Sequence, residues 1–588
     1  MLLDQLLGAD PSAISICEYH PLYAELALSL LHHIGNHPAV GPCVLRYMRE
    51  YNHVQHMVTL TRVLARALSD DVHDRNQAAM LNCIAWLVRL ASLELFDKAD
   101  TQLLSAKELF HALFLPPAST LSIADDLTRG NSAPVERAVV LALLERVDMA
   151  VEQVDAPSFD KLNIDHVNQV YQQTTRPVAT MGTEAVPACN VRQMQTLLLR
   201  DIEAGFYGSV DGREALMMDL QVALATAVDN NVVAERRGAR LHVLKALERV
   251  VAIAFARHSE LIKGHSRVQL LCDLLIQVLA KSYGNQQGQE PALLSVNSSM
   301  VLLLLATLRQ TLLELDHPED VADAATSIIR NVEEPLLSSV VQGVLSAGCG
   351  PRTRQNHYST LHFYMQITRH ATNPNSNDWI RNPSQRFMDA VCRDACDNAG
   401  ILSILAMAAL AELLTLDVQG RWLMFMQRYG YLQHYADEVS SSEAALSQLL
   451  LPSAPANFNA LYKHQARFGL FMRCAETAHG VQALREANLL PIVTQLKFFS
   501  QRPSSMATPR FGHSLPRDAG VPAPLERHRD LVLPVLHLCA LILQTVRTVE
   551  VAREVLQFFH AHSSRYFRTV IRVWRCPCLP LVAAHSVL

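Results

Sequence analysis

The residues whose types and spacing come nearest to chemistry are thiols and imidazoles. In VCRDACDNAG (391–400), Cys392 and Cys396 stand one helical turn apart, with Asp394 between them and Asp397 beyond. A pair at this spacing shares one helix face and could supply two metal ligands. A structural zinc site needs four, commonly as C-x2-C with a second pair nearby. The nearest histidines, His370 and His434, lie beyond separate turns. The spacing therefore predicts small thiols packed inward on a helix that ends near Asn398 and Gly400, since buried free cysteine behaves as a hydrophobe. A buried helix should follow from Ile401.

Other candidates carry less. Cys576 and Cys578 in RCPC are two ligands without companions. His33 and His37 have the spacing of H-E-x-x-H, but HIGNH has no glutamate. His560 and His562 point to different helix faces. Cys349 sits between glycines in AGCGP; with no base placed beside it, the stretch reads as a tight connection after a helix ending near Leu345. No G-x-S-x-G, GxxxxGK[ST] or GxGxxG stretch occurs. No catalytic, cofactor-binding or metal-binding residue is assigned, no cofactor is expected, and no enzyme activity follows.

The elements around these residues read as helices. The chain has 588 residues, 50% hydrophobic and 18% charged, with aromatics at 6%. Leucine and alanine recur throughout, and both lose little rotamer freedom in a helix. In LNCIAWLVRLASLEL, the residues Leu81, Ile84, Val88, Ala91 and Leu95 fall on one face, as do Leu244, Leu247, Val251 and Ala254. No strand with a hairpin turn is identifiable. Helix starts are read after Pro157 and at HPEDVADAATSII (317–329), and C-terminal caps at Gly208, Gly264, Gly284, Gly430 and Gly480.

These intervals predict helices of about 10 to 20 residues paired antiparallel. Loops are expected near 173–188 and 501–524, with one continuous array over 1–588. So many tandem helices pack best as stacked pairs, each burying its apolar face on its neighbours. The fold class is all-α, an α-solenoid of the HEAT/armadillo type.

A net charge of −5 and the absence of a long cationic cluster argue against nucleic-acid binding. The densest basic stretch, AERRGARLH (234–242), reads as a solvated helix face. Twelve scattered cysteines suit reduced thiols of the nucleus or cytosol. The start lacks a basic region before its leucines, the final HSVL is not a prenylation signal, and the longest apolar runs fall short of the roughly 20 residues of a bilayer span. A soluble chain without a transmembrane segment is expected. In ALYKHQARFGLFMRCA (460–475), Leu461, Phe468, Met472 and Ala475 share a face with Phe471 at its border. That stripe fits intramolecular core and fits equally a groove for a partner helix.

Several stretches resemble one family. LNCIAWLVRLASLEL, FDKLNIDHVNQVY with ACNVRQMQTLLLRDI, and VCRDACDNAGILSILAMAALAELL are similar to the large inner-ring scaffold nucleoporins of the nuclear pore complex. So are RWLMFMQRYGYLQHYADEV and the block 460–503, all in the family's order and within its C-terminal part. The resemblance runs from about Gln77 to Arg572, and the ending 573–588 does not share it. It implies an α-helical superhelix of the inner ring at the nuclear envelope, supporting nucleocytoplasmic transport. It also implies partners that are other nucleoporins, especially linker nucleoporins held through short helical segments, and no catalytic residues. An alternative is a soluble HEAT- or armadillo-like adaptor that binds helical peptides or cargo; none of its four tryptophans recurs at repeat spacing.

Overall fold

A computed structural model describes residues 20–50, 61, 76–96, 103–115, 138–147, 154–178, 185–207, 212–283, 291–346, 349–371, 383–397, 400–417, 419–451, 457–499 and 524–562. These are almost wholly helical, and the chain divides into two compact units, Met1–Ser339 and Val340–Leu588.

The first unit contains α1 (Pro21–Gly35), α2 (Gly41–Glu50), α3 (Asn76–Phe96), α4 (Leu103–Phe114), α5 (Val139–Arg146) and α6 (Ile164–Thr174). A hairpin of β1 (Thr175–Val178) and β2 (Val186–Cys189) leads into α7 (Val191–Glu203) and α8 (Arg213–Arg257). α9 (Gly264–Tyr283) and α10 (Pro291–Leu313) follow, and α11 (Pro318–Leu345) runs past Ser339, so that its last residues belong to the second unit.

α3 is the centre of this unit. One apolar face was expected, yet within Leu81–Leu95 only Arg89 escapes full burial. The cause is that α1 covers one flank and α8 another, and a helix apolar all round belongs in a core. A polar chain threads the seam: Asn82 donates to Glu25 Oε1 at 3.1 Å, and His242 Nδ1 meets Asn82 Oδ1 at 3.1 Å. The His242 ring stands edge-on to Trp86 at 4.7 Å. Desolvation holds His242 down at about 3 and His32 at about 4, so both rings are neutral.

α8 is longer than the expected 10 to 20 residues: it runs 45 residues without a break. Its first half presents Leu216, Leu220, Ala223 and Ala227 to a satellite core with Leu162, Val167, Val170, Met194 and Leu198. Its second half packs on α3 and α10, burying Leu244, Leu247, Val251 and Ala254 as their spacing predicts; of Lys245, Glu248 and Arg249, expected on the opposite side, Arg249 is exposed, whereas Lys245 and Glu248 are half-buried and Glu248 accepts from Ser299 on α10.

The hairpin corrects the expected loop at 173–188. Its strands pair antiparallel, Thr175 with Cys189 and Val178 with Val186, and β2 lies on α8. Gly238 admits it, since a Cβ there would meet Val186 Cγ2 at 2.4 Å. Nor does a helix start after Pro157. Residues 154–163 are extended or turned, and α6 begins at Ile164, where the Asn163 side chain accepts the Asp165 N–H at 2.8 Å.

The second unit stacks helices in two rows. One row is α12 (Pro351–Thr368), α14 (Ile401–Leu416), α18 (Asn459–Ala475) and α21 (Pro524–Thr545), each packed on the next. The other is α13 (Gln385–Cys396), α16 (Tyr431–Ser441), α20 (Leu489–Gln495) and α22 (Val549–Ala561), likewise in contact in sequence. Shorter helices α15 (Arg421–Arg428), α17 (Glu443–Gln448) and α19 (Ala478–Glu486) complete it. Stacked pairs of this kind are the α-solenoid arrangement expected from the sequence.

Of the glycines expected to cap helices, Gly430 does so, with φ +76 and its N–H on Gln427 O at 3.2 Å. Gly264 instead opens α9, and Gly480 lies in the first turn of α19, where a Cβ would strike the Cys474 carbonyl oxygen at 1.8 Å. Gly208, Gly284, the stretch 501–523 and the ending 573–588 lie outside the described residues.

Among the described residues two helices, Gln77–Phe96 and Ala292–Leu313, are long and apolar enough to cross a membrane, which the lengths of the apolar runs did not anticipate. In the first, 78% of the apolar window is buried inside the protein, as its place beneath α1 and α8 requires.

Candidate interaction surfaces and the buried thiols

Cys392 and Cys396 lie on α13, whose start is capped by Ser384 Oγ accepting the Phe387 N–H at 3.3 Å. Cys392 is fully buried beside Phe387 and Val391, and Cys396 is half-buried. Desolvation pushes the Cys392 thiol far up and the Cys396 thiol to about 11, so neither is a thiolate at neutral pH. No group of three or more His, Cys, Asp or Glu side chains is placed to hold a metal among the described residues. Gly400 sits at φ +64 before α14, as the helix-end reading expected; Asn398 lies outside the described residues.

A buried polar network surrounds the thiols. Asp394 accepts from Tyr358 Oη at 2.7 Å and from Arg354 Nη1 at 3.0 Å. Tyr435 Oη donates to the Cys392 carbonyl at 3.0 Å. Arg467, buried on α18, donates to Glu438 Oε2 at 2.5 Å, with Lys463 3.5 Å from the other oxygen. These contacts join α12, α13, α16 and α18, and each buried charge has an opposite charge beside it. The arrangement fixes helix register; it presents no open, activated group.

The remaining sequence candidates are separated by the fold. His33 Nδ1 is 2.7 Å from Ser29 O on α1, whereas His37 lies in the following turn and accepts the Ala39 N–H at 3.3 Å. His562 packs on Phe499 and Phe558, while His560 is exposed. Cys349 lies in a turn, its N–H on Ser346 O at 3.2 Å, and burial raises its thiol. Cys576 and Cys578 fall outside the described residues. Arg236, Arg237 and Arg240 are half-buried and engaged, not the solvated face expected of AERRGARLH.

The 460–475 stripe, open to two readings in the sequence, is core. Leu461, Phe468, Phe471 and Ala475 are buried, and α18 lies between α14 and α21. His464 in the same helix has Nε2 3.0 Å from the Leu531 carbonyl. That carbonyl lies in the turn of α21 preceding Pro534, whose ring disturbs the helical ladder there.

Sequence reasoning missed two clamps on α8. Asp219 accepts the N–H groups of Asp160, Lys161 and Leu162 at 3.1, 2.7 and 2.9 Å. Desolvation alone would raise its carboxyl, but the three N–H bonds outweigh it and leave the group below its ordinary range. Asn231 accepts from Cys189 N at 2.8 Å and donates to Cys189 O at 2.9 Å. Neither partner is near in sequence, so no local pattern announces them.

Exposed apolar side chains form stripes on two helices, α1 and α22. On α1, Leu22, Leu26, Leu30 and Ile34 are exposed at four-residue spacing, opposite buried Ala24, Leu28 and Leu31. This stripe, about 18 Å long at 1.5 Å per residue, was legible in PLYAELALSLLHHIG as a second apolar face. α22 carries another, formed by Val549, Leu556 and Phe559.

A family model described as the nuclear pore complex scaffold, nucleoporins 186/192/205, matches residues 1–572. Nuclear pore complex protein Nup205 of Homo sapiens is 24% identical over 569 residues, covering 85% of this chain and 28% of the relative. The Drosophila melanogaster protein of the same name is 27% identical over 180 residues, covering 30% of this chain and 8% of the relative. This chain thus spans less than a third of either relative's length. Among solved structures, an engineered protein superposes at TM-score 0.35 with 11% identity, covering 96% of this chain and 98% of that one. With the family model matching nearly the whole of this chain, residues 1–572, the chain belongs to the nucleoporin 186/192/205 family of nuclear pore complex scaffold proteins.

Proposed function

We propose that the chain serves in the inner ring of the nuclear pore complex, where it organises other nucleoporins and supports nucleocytoplasmic transport without catalysing a reaction. The observation that carries this reading is the family match over residues 1–572. The structure supports it physically: helices bury their apolar faces on their neighbours, Asp394 and Arg467 have opposite charges beside them, and desolvation raises the Cys392 thiol. A protein of this family resides in the nucleus, at the pores of the nuclear envelope, and its partners are other nucleoporins.

Linker nucleoporins are the proposed partners, held through short amphipathic helices on exposed apolar faces. The buried 460–475 stripe is not such a face; the outward stripe of α1 is, with room for a helix of about three turns. The test is to tag the protein at its own locus, image it and identify co-purifying proteins. Punctate rim fluorescence, slow recovery after photobleaching and recovery of inner-ring nucleoporins are expected, with capture reduced by Leu26→Asp with Leu30→Asp. Diffuse cytosolic signal overturns the reading, and rapid exchange at the rim favours a mobile adaptor.

A further inference from the structure

We propose that the junction of α1, α3 and α8 binds a singly protonated phosphate group, held by Arg89 and Arg249 against the rings gathered around Trp86. The rings of His32, His33 and His242 lie 5.1, 5.7 and 4.7 Å from the Trp86 ring, centroid to centroid. The Arg89 guanidinium carbon is 5.1 Å from the same ring. His32, Trp86 and His242 are only 6%, 1% and 3% exposed. Even so, Trp86 Nε1, both nitrogens of His32, His242 Nε2 and Arg89 Nε have no hydrogen-bond partner among the described residues. Burying a polar atom unpaired is costly, and five such atoms at one junction call for a ligand that pairs with them.

The surrounding charge sets the sign of that ligand. Burial and the neighbouring Arg249 pull the Arg89 guanidinium below its ordinary value, and both arginines add to the burial that holds His32 neutral. Among the described residues no carboxylate pairs with either arginine. Glu25 is taken up by Asn82, and Glu248 by Ser299 on α10. A cation does not suit this surplus of positive charge; an oxoanion does. Trp86 Nε1, Arg89 Nε and one nitrogen of neutral His32 each offer it an N–H, and Arg249, exposed at the rim, adds a fork of donors on the open side. His242 is the exception. Asn82 gives its amide N–H to Glu25, so its oxygen takes the proton on His242 Nδ1 and leaves Nε2 a lone pair. That lone pair repels a bare anion but accepts the O–H of a singly protonated phosphate group, whether free or as a monoester.

Calorimetric titration of the purified full chain with inorganic phosphate near neutral pH tests this, with sulfate as a tetrahedral rival that has no proton to give. One phosphate per chain is expected, bound about tenfold more tightly than sulfate. Arg249→Gln, a change at an exposed side chain, should weaken binding about tenfold while the melting temperature in phosphate-free buffer holds. Arg529→Gln, exposed on α21, should bind as the parent does. O-phosphoserine separates the two sources of the group: binding as tight as that of phosphate points to a modified side chain of a partner, and its failure to bind points to the free anion. The proposal is overturned by the lack of saturable phosphate binding, by sulfate binding equally well, or by an Arg249→Gln variant with the parent's affinity.

Discussion

The imidazole of His357 lies against the α-carbon of Gly343, so close that a Cβ at that position would stand 2.0 Å from Nε2. α11 and α12 approach there through the one residue type that leaves room. Gly343→Ala should destabilise the second unit by about 1–3 kcal/mol, the usual cost of overpacking. Its melting temperature should fall in differential scanning calorimetry, and His357→Ala in the same chain should recover part of the loss. No change in the single variant would mean the helices can part at no cost.

Acid should loosen the core through its neutral histidines. Burial holds His357 and His464 at about 4, against 6.5 for a free imidazole. A depressed histidine stabilises fully above the unfolded value and loses that contribution as pH falls from 6.5 toward 4, because only the unfolded chain takes up the proton. Each shielded ring should cost about 2 kcal/mol between pH 7 and 5. Urea titrations at the two pH values check this, and His464→Gln should flatten the dependence.

The clamps on α8 predict a local effect. Asn231→Ala leaves the Cys189 backbone groups without their partner, a loss of about 1–3 kcal/mol. Hydrogen exchange at residues 186–190 should accelerate well before α3 is affected. Asp219→Asn should remove the stabilisation that the wild type holds above the ordinary carboxylate range and loses as pH falls through its depressed value.

Leu413→Asp and Phe468→Asp each place a charge where the side chain is fully buried. Either should cost 4 kcal/mol or more by order of magnitude and lower soluble yield sharply. Tyr462→Asp, half exposed on the same helix as Phe468, should melt within a degree or two of the parent.

Helix identity and phase were legible wherever one face of a helix meets the core. Leu244, Leu247, Val251 and Ala254 are buried as spaced, and the Cys392 stretch ends its helix beside Gly400. The sequence misled where burial is all round, as in Leu81–Leu95, because periodicity carries no phase when every side is covered. The hairpin escaped notice because its four-residue strands pair Pro177 with Pro187 and alternate poorly. Gly480 was read as a helix end because close packing on the Cys474 carbonyl and a left-handed turn both call for glycine. The inward packing of Cys392 was readable from its helical spacing, whereas the Asp394 and Arg467 networks depend on partners dozens of residues away.

α8 runs 45 residues without a joint, with the satellite core on one half and the α3 seam on the other. A pull delivered at the satellite-core end therefore has no hinge at which to dissipate before it reaches the α3 seam. The helix behaves as a strut: force, like sequence, is carried straight from the periphery to the keystone.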